Sequence, residues 1–165
     1  MTKNTFRLMS LLPALFCAGL LGYAYYVEYR DFLLPCNLCI LQRVVFFTIG
    51  VLFLLALIKP AIHWGKKLFG VLLTLTTATG IAISGRHVWM QGLPPEEVPD
   101  CGPSLGMMME NDSIFGALSS VLTGSGSCAE IKWELFGLSM PTWTLFCFIG
   151  LFIYTIIWTF TKVKS

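Results

Sequence analysis

Four cysteines have the spacing for redox chemistry. Cys36-Asn37-Leu38-Cys39 is a C-x-x-C, and Cys101 and Cys128 follow with twenty-six residues between them. A disulfide closing as few residues as the first pair does gains little loop-closure entropy, so it makes a poor staple. At a helix N-terminus, however, such a pair has its thiolate stabilised by backbone N–H groups and the helix dipole. Pro35, directly before it, suits a helix start. Arg43 comes one helical turn after Cys39 and so lies on the same face. Its permanent charge would stabilise a Cys39 thiolate and could hold an oxygen of a bound ligand. The chemistry these residues suit is thiol–disulfide exchange.

Cys101 and Cys128, taken alone, would more often form a structural disulfide. Their surroundings argue for movement. A proline-rich run, Leu93 to Asp100, leads in, and Gly124-Ser125-Gly126-Ser127 is a flexible linker beside Cys128. A static staple needs no such hinge. Zinc sites of cysteine usually combine two close pairs, and only one pair is close here, so no metal is expected. His87, between Arg86 and Val88 and two residues before Trp89, has two readings. One is an interfacial histidine in an aromatic belt; the other is a polar partner for a ligand near Arg43.

The elements that position these groups follow from composition. Hydrophobic residues make up 56% of the 165 and charged residues 12%, too few polar side chains for a water-facing surface. Four apolar runs are bracketed by charges, giving spans at about 8–28, 36–58, 68–89 and 135–161. The first has twenty uncharged residues from Leu8 to Val27, which at about 1.5 Å per residue crosses a core of about 30 Å. It is long and lacks an A-x-A-like site after it, so it reads as retained rather than as a cleaved signal. The expected fold is an all-α, four-helix membrane bundle forming one domain. Cys17 and Cys147 fall near the bilayer centre and read as inert small hydrophobes. Trp158, near a membrane surface, reads as a belt residue.

Orientation follows from the cations. Lys3 and Arg7, then Lys59, Lys66 and Lys67, then Lys162 and Lys164 occupy three segments that hold no carboxylate. All nine acidic residues lie on the other side, eight in the two remaining loops and Glu28 at the adjoining end of the first span. The positive-inside rule puts both termini in the cytoplasm and the loops at about 29–35 and 90–134 outside, with all four redox cysteines. Within the long loop, Ile114, Phe115, Leu118, Val121 and Leu122 share a helical face behind the capping groups of Asn111, Asp112 and Ser113. This predicts a short helix lying on the outer leaflet.

Taken together, these residues resemble a known family. Pro35-Cys36-Asn37-Leu38-Cys39-Ile40-Leu41-Gln42-Arg43 is similar to the P-C-x-L-C-x-x-x-R signature of the disulfide bond formation protein B (DsbB) family. Ser127 to Trp143 resembles its C-A-E-x-x-W-x-x-x-G-L-x-M-P-x-W segment, and Gly85-Arg86-His87-Val88-Trp89 and Cys101 fall where the pattern expects them. The resemblance implies an inner-membrane enzyme that reoxidises a periplasmic, thioredoxin-superfamily dithiol oxidase, DsbA, and passes the electrons to ubiquinone or menaquinone. It implies that the partner attacks a Cys101–Cys128 disulfide at Cys101. Cys128 would then exchange with a Cys36–Cys39 disulfide through a Cys36–Cys128 bond, leaving Cys39 to face the quinone. Arg43 would stabilise that thiolate and the quinol oxygen, with His87 a weaker neighbour.

Two rivals make different predictions. A vitamin K epoxide reductase-like enzyme also joins outward cysteines to a quinone, but that family places its loop pair before its C-x-x-C. A non-catalytic four-span scaffold with stapled outer loops predicts stable disulfides and no quinone, and has no use for Arg43 beside a C-x-x-C.

Overall fold

The computed structural model describes residues 3–32, 35–58, 63–94 and 134–161. Four helices carry the fold: α1 (Lys3–Asp31), α2 (Asn37–Ile58), α3 (His63–Gln91) and α4 (Met140–Phe160). A two-stranded hairpin, β1 (Glu134–Leu135) and β2 (Leu138–Ser139), precedes α4. Each helix holds a stretch long and apolar enough to cross a membrane: Thr5–Asp31, Asn37–Leu57, Gly65–Gln91 and Met140–Phe160. The chain is an all-α, four-span membrane bundle.

Helices are the form these residues can take in lipid, because every backbone polar group must then be satisfied internally. The threonines of α3 follow the same rule. Thr74, Thr76, Thr77 and Thr79 each donate to the carbonyl four residues back, at 2.8–2.9 Å. Leu8, Leu15, Phe47, Val71, Leu75 and Ile153 are exposed around the perimeter. In water that surface would aggregate; in a bilayer it is the solvated face.

The core differs in kind from the perimeter. Ile49 and Phe53 of α2, Leu73 of α3, and Phe148 and Trp158 of α4 are fully buried. Phe46 and Phe148 stack across the bundle with centroids 4.0 Å apart. Trp158 lies in this core and not in a belt. Its ring meets Phe6 at 5.5 Å and Phe53 at 5.8 Å, and its Nε1–H donates to Ser10 Oγ at 3.2 Å. Ser10 in turn donates to the Phe6 carbonyl. Because α1 supplies a polar partner for the indole N–H, the ring can be buried whole.

Helix α4 begins five residues later than the apolar run from Leu135 suggests. Glu134 pairs with Ser139 and Leu135 with Leu138, and the two loop residues, Phe136 and Gly137, have φ of 55° and 75°. Positive φ at both loop positions matches the right-handed strand twist of a tight hairpin. Pro141 sits in the first turn of α4, where its missing N–H costs nothing; further inside a continuous helix it would break the ladder.

Gly80 is one of two glycines, with Gly70, at which α3 and α4 approach closely. A Cβ there would lie 2.5 Å from the Phe148 ring, which the stack on Phe46 holds in place. Gly80→Ala therefore destabilises the bundle by about 1–3 kcal/mol despite its better helix propensity. Loss of helical signal on heating in detergent measures this. Gly150→Ala, where nothing lies within 4 Å, serves as the control and leaves the transition in place or raises it.

Candidate functional site

The site is built on the start of α2. Ile40 N–H donates to the Cys36 carbonyl at 3.1 Å, which makes Cys36 the residue from which the helix begins. Its side chain behaves as a cap: the Cys39 N–H lies 3.4 Å from Cys36 Sγ. A sulfur thus occupies the place where serine or aspartate usually accepts an otherwise unsatisfied N–H. The two sulfurs of the C-x-x-C are 3.0 Å apart. Both are half-buried, so joining or parting them requires only small side-chain rotations.

His87 comes to this pair from α3. It is buried, with Nε2 3.7 Å from Cys36 Sγ and Nδ1 3.2 Å from the side-chain amide nitrogen of Gln42. Thr144 Oγ1 of α4 lies 3.0 Å from Gln42 Oε1 and 2.8 Å from the Pro141 carbonyl. One hydroxyl hydrogen cannot serve both acceptors. The network therefore has two self-consistent forms. In the first, Thr144 donates to Gln42, Gln42 donates to Nδ1, and the Nε2–H points at Cys36, where it stabilises a thiolate. In the second, the Gln42 amide turns end for end, Thr144 donates to Pro141, and Nδ1–H donates to Gln42. Nε2 then presents a lone pair to Cys36 and can accept its proton. An amide rotation, coupled to a change of imidazole tautomer, thus changes what His87 offers to the sulfur.

Gln42 acts through His87, so its removal has a measurable consequence. Gln42→Leu slows thiolate alkylation of reduced Cys36 by roughly two- to tenfold, the loss of one neutral hydrogen bond. Alkylation rates resolved by peptide mass spectrometry test this, with Cys147 as the internal reference.

On the other side of the pair lies a cavity of about 220 Å³. Leu20, Leu21 and Ala24 of α1, Phe46 of α2, and Pro141 and Trp143 of α4 give it apolar walls. Cys39, Gln42, Arg43 and Thr144 supply its polar points. Cys147 also lines it, whereas Cys17 is buried in the core. Arg43 is held from α1: its Nη1 pairs with Glu28 Oε2, and its guanidinium sits 4.8 Å over the Tyr25 ring. Ser139 joins the α3 and α4 ends of the site, donating to Gln91 Oε1 at 2.6 Å and lying 3.0 Å from Thr142 Oγ1.

The structure therefore gathers Cys36, Cys39, Arg43 and His87 at one end of the bundle, on two sides of the dithiol. His87 meets Cys36 and Gln42 and is not among the cavity-lining residues. Cys101, Cys128 and the short helix expected around 111–122 lie outside the described residues. Sequence reasoning passed over Glu28, Gln42 and Thr144. Glu28 was within reach: it lies in the last turn and a half of α1 and Arg43 in the second turn of α2, so an antiparallel pair brings the two ends together.

Comparison with known proteins agrees over nearly the whole length. The family model described as Disulfide bond formation protein DsbB matches residues 6–158. A Disulfide bond formation protein B of Methylococcus capsulatus is 44% identical over 151 residues, 92% of this chain and 92% of that protein. One of Hahella chejuensis is 41% identical over 160 residues, covering 97% of this chain and 95% of its own. One of Xanthomonas campestris pv. campestris is 44% identical over 152 residues, or 92% and 88%.

Proposed function

Since the chain belongs to the DsbB family of membrane disulfide bond formation proteins, we propose that it reoxidises a periplasmic DsbA-type dithiol oxidase and passes the electrons to membrane quinone. The observation that carries this reading is the placement of the dithiol. Cys39 lines the apolar cavity with Arg43 and Cys36 does not, so each sulfur of one pair faces a different partner.

The residues around the cavity fit a quinone. A flat apolar ring suits walls of leucine, phenylalanine, proline and tryptophan, and its oxygens need donors, which Arg43 and the second amide hydrogen of Gln42 offer. Bound there, a quinone supplies a two-electron, two-proton acceptor. The chain's own residues do the rest. A partner thiolate attacks Cys101 of the Cys101–Cys128 disulfide, forming a mixed disulfide and releasing Cys128 as thiolate. Cys128 attacks Cys36 of the Cys36–Cys39 disulfide, forming Cys36–Cys128 and releasing the Cys39 thiolate. The partner's second thiol resolves the mixed disulfide, and the freed Cys101 takes back Cys128. Cys36 and Cys39 are left as a dithiol carrying two electrons and two protons. His87 holds or relays the Cys36 proton, and Arg43 offsets charge at Cys39.

Orientation completes the reading. The cation-rich segments support a reading with both termini in the cytoplasm and the dithiol at the periplasmic face of the inner membrane.

The test is quinone reduction by the purified protein with a reduced DsbA-type protein as donor, followed by quinone absorbance. Turnover that needs all four cysteines is the expected result. No turnover with ubiquinone or menaquinone, and loop cysteines that resist mild reductant, would leave a stapled scaffold instead.

A further inference from the structure

Cys36 Sγ, Cys39 Sγ and a ring nitrogen of His87 all lie within 4.8 Å of one another. Two thiols and an imidazole are the donor set that soft divalent cations prefer. We propose that the reduced Cys36–Cys39 pair, together with His87, is a binding site for a thiophilic divalent cation of Zn²⁺ character, and that the disulfide form is not. That such an ion stalls the protein in its reduced state rests on the function proposed above; the binding itself does not.

Three features of the structure support the site. The first is distance. Around a tetrahedral Zn²⁺, with bonds of about 2.3 Å to sulfur and 2.0 Å to nitrogen, donor atoms lie about 3.5–3.8 Å apart. Cys36 Sγ and His87 Nε2 already stand at 3.7 Å. The two sulfurs, at 3.0 Å, need to part by less than an ångström.

Second, the outer partners of the histidine are in place. A metal-bound imidazole almost always donates its other N–H to a fixed acceptor. Here Nδ1 faces Gln42, and in the form where Thr144 donates to Pro141, Gln42 accepts that N–H and leaves the Nε2 lone pair on the dithiol side.

Third, the cation one helical turn beyond Cys39 does not oppose an incoming one at full strength. Arg43 is paired to Glu28, so the local charge it brings is offset. Cys39 also borders the cavity, which leaves room for a water or another oxygen in the fourth position, as in open Cys₂His sites.

Binding moves no electrons. Two thiols lose their protons, two metal–sulfur bonds and one metal–nitrogen bond form, and the ion stays divalent. A disulfide has no thiolate to offer, so oxidation of the pair abolishes the site. Conversely, an ion in place ties up both sulfurs and holds the pair as a dithiolate.

The experiment is Co²⁺ titration of the full-length protein in detergent, reduced and oxidised, read by the thiolate-to-metal charge-transfer band. Competition with Zn²⁺ follows. We expect one ion per reduced chain, about two protons released per ion, and no band in the oxidised protein. His87→Ala weakens binding by at least the roughly 10–100-fold that loss of an outer-shell partner costs, and His87→Cys, which returns a donor, restores it. Cys101→Ser/Cys128→Ser leaves the titration unchanged. Equal affinity in His87→Ala, a band that vanishes with the loop cysteines, or no band at all overturns the site. The titration uses neither quinone nor dithiol donor, so its outcome stands apart from that of the turnover assay.

Discussion

Cys39→Ser reduces quinone turnover by on the order of a thousandfold or more, the scale seen when a nucleophile is removed from a unit that acts together. The protein remains able to oxidise one equivalent of its donor. The reason lies in the geometry of the pair. With Cys39 replaced, no Cys36–Cys39 disulfide forms, but a loop disulfide at Cys101–Cys128 can still be attacked once. A donor titration should therefore show a single-equivalent burst and then nothing. Cys147 is the internal control, because its side chain also lines the cavity. If proximity of a sulfur to the cavity were sufficient, Cys147→Ala would slow turnover too. It lacks a second cysteine one helical turn away, a helix N-terminus and a facing histidine, so Cys147→Ala retains activity within about fivefold, the cost of losing one small apolar group (~0.8 kcal/mol) from the cavity wall. Acid quenching and alkylation, read by mass, count the thiols in each case. Turnover of Cys39→Ser within tenfold of the parent chain would remove Cys39 from the relay.

Periodicity and charge were enough to foresee the four helices, because in a bilayer the length of an uncharged run nearly determines the element. They were not enough to locate the start of α4. The hairpin at Glu134–Ser139 depends on positive φ at Phe136, a residue that does not advertise it, and only Pro141 signals that the helix cannot run through. Trp158 shows a second limit. Its distance from the charged end is that of a belt residue, but burial was decided by Ser10, 148 positions earlier in the chain. At the site, Cys36, Cys39 and Arg43 were legible because they share one helix and its 3.6-residue repeat. His87 was legible as a polar group at the right depth. Its partner was not, since whether α3 presents it to Cys36 or to the cavity depends on helix rotation, which hydropathy does not encode. Gln42 was hidden for a similar reason: an amide in a span reads as a neutral interruption until His87 and Thr144 are seen on either side.

Arg43→Met lowers kcat/KM for quinone by roughly 10–100-fold, the loss of one charge-assisted hydrogen bond, with most of the change in KM. Arg43→Lys recovers part of it, since the charge returns without the planar fork. Glu28 makes the prediction sharper. Its carboxylate pairs with Arg43, and both side chains are largely sheltered, at 16% and 29% exposure. Removing Arg43 alone leaves an uncompensated carboxylate beside the cavity, where a quinone oxygen gains negative charge on reduction. Removing one partner of a sheltered pair costs more than removing both, because the charge left behind is poorly solvated. Arg43→Met/Glu28→Gln should therefore outperform Arg43→Met by severalfold, on the order of 1 kcal/mol of coupling. Glu28→Gln alone should be mild, because Tyr25 still holds the guanidinium from below, at 4.8 Å. Additive losses across the cycle would mean that the pair is a structural clasp between α1 and α2. Rescue by the second substitution would mean that Arg43 works by opposing charge at the cavity, with Glu28 setting how much of that charge is available.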